Sequence, residues 1–331
     1  MKKFLTFIIV VFAIASFIGY SHYVGALKYA KDSNSTQRVV VDIEKGMSAQ
    51  SVAEMLTGER LIKSPFIFNL YLKQQGVGSQ IKAGRMVLQE NYTLSQIVDV
   101  LVEGKTEEIP VTILEGWTIE QIAEQLASQN LTTKEDFMDC ITTCEFDRGL
   151  IPDNLEGYLY PDTYYVDITL YSDQRFIGRM MDNFKNRVLE DDEVKKSLLR
   201  SDISFADQVT MASIVEKEER SKSQRPTVAG ILWNRHHAGA GLGADATVLY
   251  ALGRTKGGLT YEDLQIDSPY NTRKHRGLPP TPICNPSLSS IKATINPIET
   301  NYWYYLHDSD GGIHYAKTLE GHNMNKAKYI K

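Results

Sequence analysis

An apolar run near the N-terminus limits the folds and locations open to this 331-residue chain. Lys2 and Lys3 supply positive charge, and the apolar run extends from Phe4 to about Val24. A run of about 20 apolar residues can cross the hydrocarbon core of a membrane as a helix. Because the lysines precede the run and few positive charges follow it, the pattern places the N-terminus in the cytoplasm and the bulk of the chain outside. We predict a cytoplasmic tip and transmembrane anchor over residues 1–24.

A cleaved signal peptide is the alternative to a retained anchor. The segment from Ala13 to Ala15 resembles a small-residue cleavage site. Apolar character continues beyond this site through Tyr20, which favours retention. Both alternatives export the residues after Val24, so the expected location of the folded part does not depend on the choice.

Composition and charge exclude some classes of function. With 42% apolar and 23% charged residues, the chain has the composition of a globular protein, and its length allows two domains. The formal charge of −5 provides no broad basic surface. Nucleic acid is therefore not an expected partner.

The three cysteines are too few for a disulfide framework, and they lack the paired Cys/His spacing of a zinc site. Cys140 and Cys144 are four residues apart on a predicted helix, whereas Cys284 lies in a proline-rich segment. Two of the three cysteines can form a disulfide, which leaves one free thiol. We expect buried thiols, with stability supplied by the core.

Hydrophobic periodicity predicts two regions after a polar linker at residues 25–38. The first region, residues 39–107, is a small α+β unit with strands at 38–43 and 82–88 and helices at 48–56, 64–74 and 93–102. The second, residues 108–331, begins with a strand at 108–114 and is mostly helical, with helices at 118–129, 133–143, 172–199, 205–219 and 225–237. A C-terminal aromatic hairpin at 302–307 and 313–316 precedes a helix from Leu319.

One acidic residue in the 205–219 helix falls on an apolar stripe. Met211, Ile214, Val215 and Glu218 recur at i, i+3, i+4 and i+7, so Glu218 lies only about 20° from Met211 around the helix. A carboxyl group that loses hydration has a raised pKa and can act as a general acid. The structural alternatives are an ion pair with arginine, a cap on a neighbouring helix, or emergence at the end of the stripe.

Several segments then carry a family resemblance. In chain order they are Leu155–Tyr164, Ala212–Glu218, Asp245–Tyr250, Tyr270–Thr272, Gly277–Ile283 and Asn285–Pro286. Together they resemble the MltG (YceG-like) endolytic murein transglycosylases of bacteria, over nearly the whole chain. The resemblance implies an α+β fold with an N-terminal transmembrane helix, a small LysM-like domain and a larger, mixed helical catalytic domain that ends in a β-hairpin.

The resemblance also implies a reaction. Such enzymes cleave the β-1,4 bond between N-acetylmuramic acid and N-acetylglucosamine in nascent peptidoglycan strands and leave 1,6-anhydro-muramyl ends. They sit in the inner membrane, face the periplasm or cell wall, and are thought to work near peptidoglycan synthases. The family assigns the acid to the second Glu of the Glu-Lys-Glu run, which is Glu218 here. One carboxyl suffices because the 6-hydroxyl of the sugar is the nucleophile, and neither a metal nor an organic cofactor is expected.

The other candidate substrate-binding residues come from the same segments. They are Asp162, Tyr164, Asp245, Thr247, Asn271, Thr272 and Pro280. Structural roles stay open for several: a turn at Asp162, a helix N-cap at Asp245 or Thr247, and a fixed loop at Asn271 and Thr272. The Pro279–Pro280 pair is suited to a rigid cleft wall.

The aromatic hairpin allows two interpretations. Its aromatic run from Tyr302 to Tyr305 can stack on sugar rings, but alternating aromatics in a hairpin more often belong to the core. His314 and His322 match family histidines, yet spacing places no third metal ligand beside them.

The chain departs from the family pattern at Gly243, Ala246, Arg273 and Thr281, all around the predicted cleft. These departures affect the expected sugar preference and leave Glu218 intact. Two rival functions remain: a hydrolytic muramidase that pairs Glu218 with Asp245 or Asp162, and a non-catalytic wall-binding scaffold whose working part is the LysM-like unit.

Overall fold

The computed structural model describes residues 16–21, 23–104, 108–168 and 170–330. Residues 16–21 and 23–27 are helical, whereas residues 1–15 and 22 of the predicted anchor lie outside the described residues. Among the helices that are described, none is both long enough and apolar enough to cross a membrane. The predicted α+β class is confirmed.

The chain divides into two compact units. The first comprises the residues up to Ile109 together with Tyr165–Tyr171, and the second comprises Pro110–Tyr164 and Ser172–Lys331. The domain boundaries drawn from the sequence stay a prediction.

In the first unit a two-stranded sheet packs with three helices. Strand Arg38–Ile43 pairs antiparallel with strand Gly84–Gln89, and Val41 lies opposite Met86. The helices are Ala49–Gly58, Pro65–Gln75 and Leu94–Glu103. The inward faces of the helices and the sheet bury side chains such as Leu56, Phe68, Leu88, Ile97 and Leu101.

Capping residues define the helix ends in this unit. Ser48 accepts a hydrogen bond from the Ser51 N–H, and Thr93 with Gln96 forms a capping box. Gly76 adopts a left-handed conformation with φ of 70°, which ends the Pro65–Gln75 helix where a side chain would be strained. These local signals explain why the predicted elements form.

The second unit is mostly helical. A boundary of the unit falls within each of the strands Glu108–Thr112 and Thr163–Asp167. The C-terminal hairpin joins Tyr304–His307 and Ile313–Ala316. The α-helices of the unit are Ile119–Ser128, Lys134–Thr143, Asp173–Phe184, Asp192–Leu198, Phe205–Glu218, Arg225–His237, Asp245–Ala251, Leu288–Ile295 and Leu319–Tyr329.

The Phe205–Glu218 helix, termed the site helix below, lies in the middle of this unit. Every residue from Gln208 to Val215 is buried, so the helix is enclosed on all sides rather than along one stripe. Helices Arg225–His237 and Leu288–Ile295 pack on it and on each other. Trp233 donates its indole N–H to the Thr294 carbonyl at 3.0 Å, which joins these two helices.

The predicted helix over 172–199 is wrong as a single element. It consists of Asp173–Phe184, a π-helical turn at Lys185–Leu189 and Asp192–Leu198. Asp191 makes the break, because its side chain accepts from the N–H groups of Glu193 and Val194 and so caps a new helix. Strand Thr163–Asp167 and helices Asp245–Ala251 and Leu288–Ile295 were not predicted.

The expectation of three buried thiols is corrected at two positions. Cys140 and Cys144 form a disulfide across the last turn of the Lys134–Thr143 helix, with their Cα atoms 4.8 Å apart. Cys144 has extended backbone angles, which ends the helix at that point. Cys284 is a buried free thiol, as expected.

Gly230 allows a close backbone approach beside the site helix. A Cβ atom at this position would lie 2.2 Å from the Ile298 carbonyl oxygen. The Ile298 N–H donates to the Pro226 carbonyl at 3.0 Å, and Asn234 donates to the Thr300 carbonyl at 2.7 Å. The segment that leads into the C-terminal hairpin is therefore held directly against the Arg225–His237 helix.

Asn285 joins three segments of the second unit. Its fully buried side-chain oxygen accepts from the N–H groups of Gly157 at 3.1 Å and Leu159 at 2.9 Å. Its side-chain amide donates to the Trp117 carbonyl at 3.0 Å. These bonds pair backbone groups that have no access to water.

We expect Asn285→Ala to lower the free energy of unfolding by about 3 kcal/mol, because it leaves buried donors without an acceptor. Urea unfolding followed by tryptophan fluorescence measures the change. Asn296→Ala is the control: within the described ranges that exposed side chain bonds only Glu193, so the loss should stay within about 0.5 kcal/mol. Equal losses in both variants would contradict the assigned role of Asn285.

Candidate functional site

Glu218 is the last residue of the site helix and lies between two cavities. One cavity has a volume of about 190 Å³ and the other about 560 Å³, and the side chains of Glu218 and Asp245 line both. Glu218 is half-buried, so its carboxyl group is reachable from the cavities. Glu218 is therefore shared by the walls of both cavities.

Tyr305 is the direct partner of Glu218. Its hydroxyl donates to Glu218 Oε2 at 2.8 Å. Tyr305 lies on the first strand of the C-terminal hairpin, opposite Tyr315. Asp308 shapes the hairpin turn by accepting from the N–H groups of Asp310 and Gly312. The hairpin thus brings a hydroxyl donor to the end of the site helix.

The two neighbouring glutamates have cationic or histidine partners. Glu216 forms an ion pair with Arg225 at 2.7 Å, and Glu219 lies 3.0 Å from His307 Nε2. Their side chains are only 6% and 5% exposed, so burial does not single out Glu218 as the helical-face argument assumed. Glu218 differs in its partner, which is a hydroxyl. Among the described residues no Lys or Arg lies within ion-pair distance of it.

The surroundings of Glu218 favour its protonated form. Burial raises the pKa of Glu218 above its ordinary value of 4.5, and the negative charge of Asp245 raises it further. Hydrogen bonds from Tyr305 and the Ala246 N–H, together with His307, oppose this rise. Burial and the adjacent carboxylate also raise the pKa of Tyr305 well above its usual value, so Tyr305 remains a donor.

A third cavity continues the groove on one side. It has a volume of about 930 Å³ and shares Thr118, Tyr250, Arg254 and Thr255 with the 190 Å³ cavity. The three cavities therefore adjoin in a row, with Glu218 between the 190 Å³ and 560 Å³ members. An extended ligand can pass Glu218 and continue on both sides.

Glu156 lies at the wall of the largest cavity and was not predicted as a site residue. It is 5% exposed and accepts from the Ile119 N–H at 3.2 Å and, at 3.5 Å, from the Tyr250 hydroxyl. Burial raises the pKa of Glu156 to about 8, against the lowering effect of these bonds. The sequence feature that could have identified Glu156 as a site residue is its position inside the apolar segment Leu155–Leu159.

Of the predicted binding residues, only Asp245 lines the cavities beside Glu218. Asp245 is the first residue of its helix and forms an ion pair with Arg273, whose Nε lies 3.0 Å from Oδ1. Thr247 and Thr272 are buried and share a hydroxyl hydrogen bond of 2.9 Å. Thr272 also accepts from the Ala244 N–H, so this threonine pair fixes the start of the helix.

Asn271 holds a loop. Its side-chain amide donates to the carbonyls of Leu264 at 3.0 Å and Ile266 at 2.9 Å, and its oxygen accepts from the Arg273 N–H. This matches the loop-fixing alternative. Pro280 is exposed and does not line any of the three cavities.

The structure does not bring Asp162 and Tyr164 to these cavities. Asp162 accepts from the Thr163 N–H at 2.8 Å and from the Asn183 amide at 3.1 Å, as a turn residue does. Tyr164 is 5% exposed, and its hydroxyl donates to the Tyr160 carbonyl at 2.6 Å. Neither residue lines a cavity, and their roles in substrate binding stay predictions.

The hairpin contributes more to the site than its sequence indicated. Trp303, Tyr304 and Tyr305 line the 560 Å³ cavity, together with Arg235 and Arg273. Cross-strand register decides which aromatic side chain reaches the site helix, and composition does not reveal that register. In the described part of the chain, no group of three or more His, Cys, Asp or Glu side chains is placed to hold a metal ion.

The chain has clear relatives. The model of the YceG-like family matches residues 41–328. An endolytic murein transglycosylase of Bacillus subtilis strain 168 is 34% identical over 318 residues, which cover 91% of this chain and 86% of that relative. An endolytic murein transglycosylase of Streptococcus pneumoniae strain R6 is 27% identical, and the match covers 100% of this chain and 66% of the relative.

A solved structure is also similar. The crystal structure of a yceG-like protein from Listeria monocytogenes has 34% sequence identity and a TM-score of 0.60. The match covers 88% of this chain and 99% of that one.

We expect Tyr305→Phe to raise the pKa of Glu218, because the variant removes a donor that stabilises the carboxylate. Asp245→Asn should lower that pKa by removing a nearby negative charge. In Tyr305→Phe, Glu218 therefore stays protonated to higher pH than in the wild type, and in Asp245→Asn it loses its proton at lower pH. Carbon-13 NMR titration of labelled glutamate carboxyls measures both shifts.

Tyr302→Phe is the matched control for this titration, because Tyr302 stacks on Tyr315 and is not among the residues that affect the pKa of Glu218. In this variant the pH midpoint of the Glu218 titration should equal that of the wild type. Shifts of the same sign in the Tyr305→Phe and Asp245→Asn proteins would refute the electrostatic account.

Proposed function

Because this chain belongs to the YceG-like family, we propose that it is a lytic transglycosylase that cleaves peptidoglycan within glycan strands. The bond is the β-1,4 linkage from N-acetylmuramic acid to N-acetylglucosamine, and the product carries a 1,6-anhydro end. One observation supports this most directly: a half-buried Glu218 with a raised pKa lies between two adjoining cavities.

Glu218 performs both proton transfers in this reaction. In its protonated form it donates the proton to the glycosidic oxygen as the bond to C1 breaks, with an oxocarbenium-like transition state. The resulting carboxylate then takes the proton from the 6-hydroxyl of the muramyl sugar as O6 bonds to C1. The carboxyl group regains its proton, so water is not consumed. A raised pKa suits the first step, because the acid must hold its proton near neutral pH.

Tyr305 positions the acid and adjusts its strength. Its hydroxyl bonds one carboxyl oxygen at 2.8 Å and so fixes the orientation of the carboxyl group. The bond also stabilises the carboxylate that forms after proton donation. The same contact therefore serves both halves of the reaction.

The row of cavities supports cleavage inside a strand rather than at its end. Sugars can occupy the 190 Å³ and 930 Å³ cavities on one side of Glu218 and the 560 Å³ cavity on the other. Tyr250, Trp303 and Tyr304 give these cavities aromatic faces, which suit the apolar faces of sugar rings.

A hydrolytic muramidase is the second candidate, favoured by the presence of Asp245 in the same two cavities. A hydrolase needs a second carboxylate to activate water or to act as a nucleophile. Asp245 is instead engaged by the guanidinium of Arg273 in an ion pair, which occupies one of its carboxylate oxygens. Asp162 is a weaker partner, because it bonds Asn183 away from the cavities.

The remainder of the chain has supporting roles in this proposal. The first unit, with its strand–helix–helix–strand order from Arg38 to Gln89, acts as a LysM-like glycan-binding module. Residues 1–24 anchor the chain in the bacterial inner membrane, with the catalytic region facing the cell wall near the peptidoglycan synthases. This placement would give the enzyme access to nascent strands.

Glu218→Gln should abolish cleavage of purified peptidoglycan strands while retaining strand binding, because the amide cannot donate or recover the proton. Mass spectrometry should find anhydro-muramyl ends with the wild type and none with the variant, a loss of at least about 1,000-fold. The matched control is Glu299→Gln at an exposed glutamate, which should cleave like the wild type. Undiminished turnover by Glu218→Gln would reject the assigned role.

The same digestion in ¹⁸O-labelled water separates the two reactions. Transglycosylation leaves unlabelled anhydro ends, because the oxygen that attacks C1 belongs to the sugar. Hydrolysis leaves reducing ends that carry the label. Labelled ends that disappear in Asp245→Asn would establish the muramidase instead, and strand binding without any cleavage would favour the scaffold.

Membrane attachment is tested by fractionation. We expect the full chain to remain in the membrane fraction after an alkaline carbonate wash, whereas a chain that lacks residues 1–24 should appear in the wash. A full chain that washes off, or one whose N-terminus is cleaved near Ala15, would contradict a retained anchor.

A further inference from the structure

The 560 Å³ cavity beside Glu218 is lined by an excess of positive charge. Arg235, Arg273 and Lys326 contribute three cations, against two carboxyl groups from Glu218 and Asp245. The lining is net positive even if both carboxyl groups are ionised. This charge contrasts with the formal charge of −5 for the whole chain.

Arg235 is fixed in place without being neutralised. Its Nε donates to the Trp303 carbonyl at 2.8 Å, and one terminal nitrogen donates to the Leu242 carbonyl at 2.6 Å. Its guanidinium also lies over the rings of Tyr304 and Tyr305. Carbonyl oxygens and aromatic faces hold a guanidinium but leave its unit charge uncompensated.

Lys326 and Arg273 extend this charge around the cavity. Across the described ranges, no carboxylate lies within 4.0 Å of the Lys326 or Arg235 nitrogens, whereas Arg273 pairs with Asp245. Lys326 and Arg273 are exposed, and the Lys326 ammonium group is free to turn toward a ligand. Arg235 is therefore held rigidly, whereas the exposed side chains of Arg273 and Lys326 can change position to meet a ligand.

An anionic group is the ligand that matches this lining. A neutral sugar ring would cover the aromatic side chains and leave the cations without a partner. Peptidoglycan differs from neutral polysaccharides in carrying carboxylates next to the muramyl ring, either on its stem peptide or on a lactyl group freed of peptide. Arginine and lysine bind carboxylates through charge-assisted hydrogen bonds.

We propose that the cavity formed by Arg235, Arg273, Lys326 and the aromatic strand of the hairpin binds a carboxylate borne by the glycan strand next to the cleaved bond. This inference rests on the proposed function and adds a substrate preference to it. The enzyme then selects acidic, carboxylate-bearing strands over strands of the same length whose carboxyl groups are neutral. Recognition of the acid group also fixes the register in which a repetitive strand passes Glu218.

Binding to the full-length Glu218→Gln protein tests the preference without turnover. The probes are peptide-bearing strands and strands stripped of peptide by an amidase, each in free-acid form and after carbodiimide coupling to methylamine. We expect one free-acid form to bind about tenfold more tightly than its amidated form, which corresponds to about 1.4 kcal/mol. A preference in the peptide-bearing pair identifies the stem peptide, and a preference in the stripped pair identifies the lactyl group.

Charge-removing variants locate the preference. Adding Lys326→Gln should reduce the ratio of affinities about twofold, and adding both Arg273→Gln and Lys326→Gln should reduce it about fourfold, because Arg235 remains in the cavity. Arg276→Gln is the matched control: this exposed arginine lies three residues from Arg273 and does not line the cavity. In the Arg276→Gln variant the ratio of affinities for free-acid and amidated strands should stay near ten. The single Lys326→Gln variant preserves the Arg273–Asp245 ion pair and so guards against misfolding.

Two results would overturn the inference. One is equal affinity for the free-acid and amidated forms of both strand types. The other is an affinity ratio that stays near ten in the double variant or falls equally in Arg276→Gln. Neither bears on the proposed reaction, whose failure would appear separately as the absence of anhydro ends in wild-type digests.

Discussion

The buried guanidinium of Arg225 holds the end of the site helix on which the proposed chemistry depends. It pairs with Glu216 at 2.7 Å, donates to the Glu219 carbonyl at 2.9 Å and bonds the Ser287 hydroxyl at 2.8 Å. A buried ion pair is tolerated only when its remaining polar atoms are satisfied, and Glu216 also accepts from the Ser287 N–H. Glu218 lies between these two anchored residues, so its backbone position is fixed from both sides.

Three carboxyl groups within four residues thus have different chemistry because their partners differ. Glu216 faces a cation and Glu219 faces a histidine, whereas Glu218 faces the hydroxyl of Tyr305. A cation compensates the lost hydration of a carboxylate, but one neutral hydroxyl does so only in part. Burial alone would have suggested three equivalent acids. The assignment of an acid therefore requires the identity of the contacting group, not merely the degree of exposure.

The sequence was sufficient for most of the periodic elements, because local spacing and capping signals encode them, whereas the catalytic role that it predicts for Glu218 stays a prediction. It was insufficient for Tyr305, which reaches Glu218 across 87 residues of chain through the register of the hairpin. Thr247 and Thr272 were candidate sugar ligands, yet their hydroxyls bond each other in the core, a pairing that only the fold creates. The break at Asp191 escaped prediction because a side-chain cap competed successfully with a helical pattern.

The close contact at Gly230 affects the surroundings of Glu218, the proposed proton donor, although Gly230 lines none of the three cavities. Any side chain there would collide with the Ile298 carbonyl oxygen, 2.2 Å from where its Cβ would stand. Displacing Ile298 would shift the whole stretch before Trp303, and with it the phenol ring of Tyr305. The absence of a side chain at Gly230 is thus as much a condition for the geometry around Glu218 as the hydroxyl that touches the carboxyl group.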